Sequence, residues 1–461
     1  MRLKSTLLFG VTASVLMTSC LGGSLPSDNS ADFAADMKSF IEYNGWEQEF
    51  NAETLGEEID LYVDYSTCVS EAKNSAYYRT VHPVIVDANP NYYSIKGSQI
   101  KFETNNRQAV YQLLNTVREV NYADIKGAVQ KIVDGNNHAV LITDGEYYQR
   151  KAGVRDSQTN PYLADEFRKW LGRGYDIYIY SEPYLESGRY SKFRYYFFFT
   201  DDNVKNNIRE RFQRSVPEQS DVKMFHMSGK RPSVAFADGY PVIDEVLSPN
   251  KELKCSGSSY DVQEYYTGWG DIYNYLLDNA YDERGRQLED GKALVRGLFV
   301  NNNLTNGYKV KGLKIKVSNV GADFASWLEA KTMAEEMEDD SVTLPKAGSL
   351  RDYDLFTYDK ELFEETGEIA IMLDKDNTYE GLESDYNLLK VDILMDGVVE
   401  NFSQNNEANG CFQWLSITNN NQLNTSLYES IRLVLLDPTM NPVKREEEKL
   451  LYTIYMSTYN I

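Results

Sequence analysis

The chemically most suggestive stretch of this chain is an apolar run, Ile59 to Asp64, that ends in an aspartate and passes directly into Tyr65, Ser66, Thr67 and Cys68. A second run, from His138, ends in Asp144 and is followed by Gly145. Parallel strands lying side by side open their carboxyl ends into one crevice. Two aspartates so placed converge beside the hydroxyl of Ser66, and carboxylates with hydroxyls are the donors a hard cation prefers. The same groups also have a plainer role open to them, as acceptors for loop amides or helix caps.

Other chemistry finds little support. No GxSxG, HExxH or Walker loop is present. An aspartate-nucleophile phosphatase would place an acid two residues after Asp64, where this chain has Ser66. The three histidines, His82, His138 and His226, are far apart in the chain, and each is expected to be structural. Cys68 has no basic neighbour to activate it and reads as a small buried residue. The 35 tyrosines include several adjacent pairs; most suit half-buried strand positions, and exposed ones would stack on sugars.

The elements that would carry these residues alternate. Strands are expected at Ile59 to Val63, Val81 to Val86, Tyr92 to Ile95, Ala139 to Thr143, Asp176 to Tyr180 and Arg194 to Thr200, apolar enough to be covered on both faces. Helical spacing appears in Val110, Leu113, Leu114 and Val117, in Ile125, Val129, Ile132 and Val133, and in Leu163, Phe167, Trp170 and Leu171. Asn160-Pro161 is a start signal for the last of these, and Gly172 and Gly174 are its stop. Asp201-Asp202 offers a cap for a helix carrying Val204, Ile208 and Phe212, while Pro83 is awkward in a strand.

From residue 215 onward the period shortens to two. Leu313, Ile315 and Val317, then Val391, Ile393 and Met395, then Ile431, Leu433 and Leu435, and finally Tyr452, Ile454 and Met456 predict antiparallel sheet with one wet face. A helical insertion carries Phe324, Trp327 and Leu328 and runs into an acidic cluster at residues 335–340.

The amino terminus has a basic start (Arg2, Lys4), a short apolar core from Leu7 to Met17, and Met17-Thr18-Ser19-Cys20. That core is too short to span a bilayer, and its ending resembles a bacterial lipobox, in which Cys20 would carry the lipid. This gives a division into a signal peptide over 1–20, a tether over 21–56, an α/β domain over 57–214 and a β-rich region over 215–461. With Cys20 lipidated, Cys68, Cys255 and Cys411 are too few and odd in number for a disulfide framework, and whether Cys255 and Cys411 pair is left open. A formal net charge of -23 argues against nucleic-acid binding, which needs clustered Lys and Arg.

The order of strand, Asp64-Tyr65-Ser66-Thr67-Cys68, strand, edge strand, helix, the loop at Asn121 to Asp124, helix, and a strand ending in Thr143-Asp144-Gly145 resembles a von Willebrand factor A domain over about Glu57 to Arg214. The resemblance implies a doubly wound, mostly parallel α/β sheet, and a metal-ion-dependent adhesion site in which Asp64, Ser66 and Asp144 would hold Mg²⁺ for a partner's carboxylate. Two positions depart from the family pattern. Cys68 stands where the family has a second serine, and Ala123 aligns with its loop threonine.

The expected function is therefore that of a lipid-anchored envelope protein, on the outer membrane, that binds a protein partner without catalysis. Two further readings stand beside it: a metal-dependent hydrolase acting through Asp64 and Asp144, and a carbohydrate-binding lipoprotein using exposed tyrosines of the carboxyl half.

Overall fold

The apolar runs do form the centre of a sheet. In a computed structural model, described for residues 30–46, 54–147 (except 118, 119 and 121), 159–230 (except 203), 236–243, 267–268, 295–300, 307–338, 341–374, 386–416, 422–437 and 450–459, seven strands share one sheet. They are β1 (Gly56–Asp64), β2 (Asn91–Lys96), β3 (Gln99–Thr104), β4 (Asn137–Thr143), β5 (Asp176–Glu186), β6 (Tyr190–Thr200) and β7 (Lys223–Ser228), in the order β3-β2-β1-β4-β6-β5-β7. β2, β1 and β4 pair in parallel. β6 lies antiparallel between β4 and β5, so β5 runs in the direction of β4, while β3 and β7 close the edges antiparallel. The sheet is thus mixed. The hairpin β5–β6 explains this: the crossover after β4 leaves one place empty, and the hairpin folds back to fill it.

Helices cover both faces. α2 (Ala76–Asp87), α3 (Arg107–Asn115) and α6 (Ile208–Ser215) pack on Ile59, Leu61, Val63, Val140 and Ile142. α4 (Ile125–Asp134) and α5 (Ala164–Gly172) pack on Leu141, Ile177 and Phe197 on the opposite face. The sequence expectation fails at α2, where Val81 to Val86 was expected as a strand. Ser75 caps this helix by accepting from the Tyr78 amide, and Tyr77, Tyr78, Val81, His82, Ile85 and Val86 are all buried. Pro83 sits inside it, with no amide to give the carbonyl of Arg79. α6 begins at Ile208 under an Asn207 cap rather than at Asp201-Asp202. His82 is consequently a helix residue stacked on Tyr78 and Tyr111, whereas His138 lies near the start of β4 as expected.

The sheet also continues past Arg214, because β7 pairs with β5. Beyond it, β8 (Ala237–Ile243), β9 (Val295–Val300), β10 (Leu313–Asn319), β11 (Phe356–Tyr358), β12 (Glu368–Leu373), β13 (Tyr386–Met395) and β14 (Leu450–Tyr459) build two four-stranded sheets. One has the order β11-β12-β9-β8; the other joins β10, β13 and β14 and ends on the two-residue strand Thr267–Gly268. All these pairings are antiparallel except the one to Thr267–Gly268, and both sheets share one core.

Ile431, Leu433 and Leu435 are not a strand. They belong to helix α8 (Ser426–Leu436), whose buried side chains include Leu427, Ile431, Val434 and Leu435, at helical spacing. α8 packs on α5, and the Ser430 hydroxyl accepts from the Leu163 amide at 3.2 Å, satisfying a free donor at the start of α5 where no side chain of its own does so. Arg168 ties the pair further, bonding to the Leu433 carbonyl at 3.3 Å and to Asp437 at 2.6 Å. The β-rich region therefore covers one helical layer of the α/β unit rather than hanging from it.

The expected tether over 21–56 also proves to be partly structured. Ser30–Asn44 is a helix, α1, and it buries Met37, Phe40 and Ile41 against Phe324 and Trp327 of α7 (Gly321–Met337) and against Leu388 and Tyr455. Cys20 and Cys255 lie outside the described residues. Among those residues, no helix is long and apolar enough to cross a membrane.

Candidate metal centre

Register brings the two aspartates together. Val63 lies opposite Ile142 in the parallel β1–β4 pair, so Asp64 reaches the same end of the sheet as Thr143 and Asp144. Oxygen atoms of Asp64 and Asp144 and the Sγ of Cys68 all lie within 4.8 Å of one another. A short helical turn, Thr67–Ser70, follows β1 and carries Cys68 into the group. Ser66 bonds to Asp64 through its amide (2.8 Å to Oδ1) and its hydroxyl, and its Oγ stands 3.2 Å from Cys68 Sγ.

Both carboxylates are held firmly. Thr143 Oγ1 donates to Asp64 Oδ2 at 2.8 Å, and the Glu146 amide donates to Asp144 Oδ1 at 2.9 Å. The loop-amide role foreseen as the plainer alternative is thus present for each aspartate. Among the described residues, no hydrogen bond is made to Asp144 Oδ2. Asp64 is 1% exposed and Asp144 6%, so an ion can reach the pair far more readily than a substrate can. Burial pushes the Asp64 carboxyl up to about 6. Burial, then the neighbouring charge of Asp64, pushes Asp144 up to about 8. Burial and the same two carboxylates push the Cys68 thiol up as well, the reverse of what an activated nucleophile needs.

The lid over this group is the outer half of the β5–β6 hairpin, which runs on past the end of β4. Tyr195 is the last β6 residue paired with β4, opposite Thr143, and Tyr190 to Arg194 continue beyond it with Glu182 to Glu186 as partners. Arg194 Nε donates to the Cys68 carbonyl at 2.7 Å, and Arg194 Nη1 meets Glu182 Oε2 at 2.7 Å. Glu182 also accepts from Tyr196 (2.6 Å) and from Ser75. Lys192, 4% exposed, bonds Glu146 at 3.1 Å and Glu186 at 2.8 Å. Burial alone would lower its proton affinity, but the charges of Asp144, Glu146 and Glu186 hold its ammonium well above the usual range.

None of these hairpin residues, nor Thr143, was singled out from the sequence. A signal was available: Glu182, Glu186, Lys192 and Arg194 recur at even spacing in otherwise aromatic strands, which puts them on one face, and Glu182 pairs directly with Arg194.

Gly145 fixes the turn behind Asp144. Its φ is +69°, and a Cβ there would stand 3.1 Å from Leu427 and 3.2 Å from Tyr195. Its carbonyl accepts from Tyr162 Oη at 2.7 Å. Gly145→Ala is expected to lower unfolding stability by about 2 kcal/mol, from left-handed strain and crowding together. Urea denaturation measures it, and an unchanged midpoint would mean that the turn relaxes freely.

Tested against Mg²⁺, the donor set is poor. Asp64, Ser66 and Asp144 offer oxygen, but Cys68 puts sulfur among them, and Ala123, which bridges Gly97 at this same end of the sheet, has no ligand atom. The residues do not supply the oxygen shell that Mg²⁺ requires.

A second group, Asp176, Asp202 and His226, gathers at the opposite end of the sheet. There Lys230 Nζ lies 3.2 Å from Asp176, and His226 Nε2 lies 3.0 Å from it. Burial opposes ionisation of Asp176, yet these partners hold its carboxyl below the usual range. An ammonium already supplies the positive charge at this end. His138 bonds Thr200 at 3.0 Å, and burial lowers its proton affinity to about 4, so it is neutral at pH 7.

No family model, curated protein or solved structure matches this chain.

Proposed function

We propose that the chain is a lipid-anchored envelope protein, bearing its lipid at Cys20, that binds a protein partner through an A-domain-like α/β module and performs no catalysis. A divalent cation between Asp64 and Asp144 holds the binding end of that module in shape. The observation that carries this reading is the convergence of the two carboxylates at the ends of neighbouring parallel strands, where burial makes each resist ionisation.

Burial weighs against the hydrolase. Both Asp64 oxygens already accept hydrogen bonds, and a nucleophile needs a free lone pair within about 3–3.5 Å of a substrate atom. The sugar-binding reading has little to stand on in the described part of the carboxyl half, where Tyr308, Tyr452 and Tyr455 are buried and Tyr353, Tyr358 and Tyr428 are partly buried.

Pull-down from envelope extracts, with and without EDTA, tests the proposal. A partner retained by the full chain and released by EDTA is the expected result. No partner under either condition counts against partner binding, and retention in EDTA removes the cation from it.

A further inference from the structure

The sulfur that spoils the site for Mg²⁺ suits another class of ion. We infer that the centre formed by Asp64, Cys68 and Asp144 selects a thiophilic dication of the Zn²⁺ class. The inference rests on the proposed cation site and concerns which ion that site takes.

Three protein donors and one open position make a common zinc arrangement, with bonds of about 2.0–2.3 Å. Tetrahedral bonds of that length set ligand atoms roughly 3.4–3.7 Å apart. The atoms of Asp64, Cys68 and Asp144 lie within 4.8 Å of one another, so a contraction of about 1.4 Å at most completes the set. Asp144 Oδ2 accepts no hydrogen bond among the described residues, so a lone pair is free on a carboxylate that is only 6% exposed. Ser66 Oγ, 3.2 Å from the sulfur, or a water takes the fourth position.

Cys68 is fully buried, and its carbonyl is held by Arg194. The backbone that aims the thiol is therefore pinned from outside the centre, as second-shell partners pin metal ligands. When the ion binds, the thiol proton leaves to solvent and a metal–sulfur bond forms, with no change of oxidation state.

Metal-free full-length protein titrated with Zn²⁺, Cd²⁺ or Mg²⁺, as wild type and Cys68→Ser, decides the matter by calorimetry and thermal melting. Wild type is expected to bind one Zn²⁺ or Cd²⁺, to show the ultraviolet charge-transfer band of a Cd²⁺–thiolate bond, and to ignore millimolar Mg²⁺. Cys68→Ser should lose that band, bind Zn²⁺ weaker by on the order of a hundredfold and gain a response to Mg²⁺.

Mg²⁺ binding by wild type that Asp144→Asn abolishes would overturn the thiophilic assignment and leave the cation site standing. No binding of any of the three ions would overturn both. Should Cys68→Ser fail to fold, X-ray absorption on Zn²⁺-loaded wild type reads the same point: one sulfur among oxygens supports the assignment, and an all-oxygen shell refutes it.

Discussion

Arg194→Met should cost about 3–5 kcal/mol of unfolding stability, because it strands a buried carboxylate. Arg194 is 1% exposed, and its guanidinium is the cation facing Glu182 at 2.7 Å. Without it, Glu182 keeps only the hydroxyls of Tyr196 and Ser75, and the Cys68 carbonyl loses its donor. The double variant Arg194→Met/Glu182→Leu should recover most of the loss, since an apolar pair of similar volume often replaces a buried ion pair at little cost. Equilibrium urea unfolding of wild type, both single variants and the double variant closes the cycle. A double variant as unstable as the sum of the singles would show that the pair's energy lies in its ties to Cys68, Ser75 and Tyr196 rather than in stranded charge.

Protein stripped of divalent cations should lose stability as pH rises from about 4 toward 8. An unfolded aspartate has a pKa of about 3.9, whereas Asp64 and Asp144 are raised to about 6 and about 8 in the fold. Between those values the folded state binds more protons than the unfolded one. The stability the two groups contribute is therefore complete below pH 4 and lost as pH passes through 6 and then 8, at no more than about 1.4 kcal/mol per pH unit for each group.

Asp144→Asn removes the larger of these contributions. In chelator at pH 8 the variant should be more stable than wild type by on the order of 2–4 kcal/mol, and the difference should shrink at pH 5. A bound dication reverses the slope in wild type alone, because it takes the ionised carboxylates. Parallel stability curves for the two proteins would mean that Lys192 already neutralises the pair.

The meeting of Asp64 and Asp144 is legible in the sequence because the features behind it are local. Asp144 closes the uninterrupted run Ala139 to Thr143 and Asp64 closes a run broken only at Asp60, and a run covered on both faces leaves few alternatives to a central strand. Elements with ambiguous periods were read less well. Val81 to Val86 is short, apolar and β-branched, yet the burial of Tyr77, Tyr78, Val81 and Ile85 shows a helical stripe that begins before the run. Ile431, Leu433 and Leu435 alternate, but the neighbours Leu427 and Val434 complete a helix buried between two modules.

Residues 182–194 escaped notice for a different reason. Their role depends on the hairpin overshooting β4, and that length only becomes meaningful once β6 is known to pair with β4.

Helix α1 changes what an anchor at Cys20 would mean. Nine residues, Leu21 to Asn29, separate that cysteine from Ser30, and fully extended they reach about 30 Å. Because Met37, Phe40 and Ile41 are sunk into the β-rich half, the leash ends on that half and not on the module bearing Asp64. A lipid at Cys20 would then hold the β-rich half, rather than the module bearing Asp64, within about 30 Å of the headgroups.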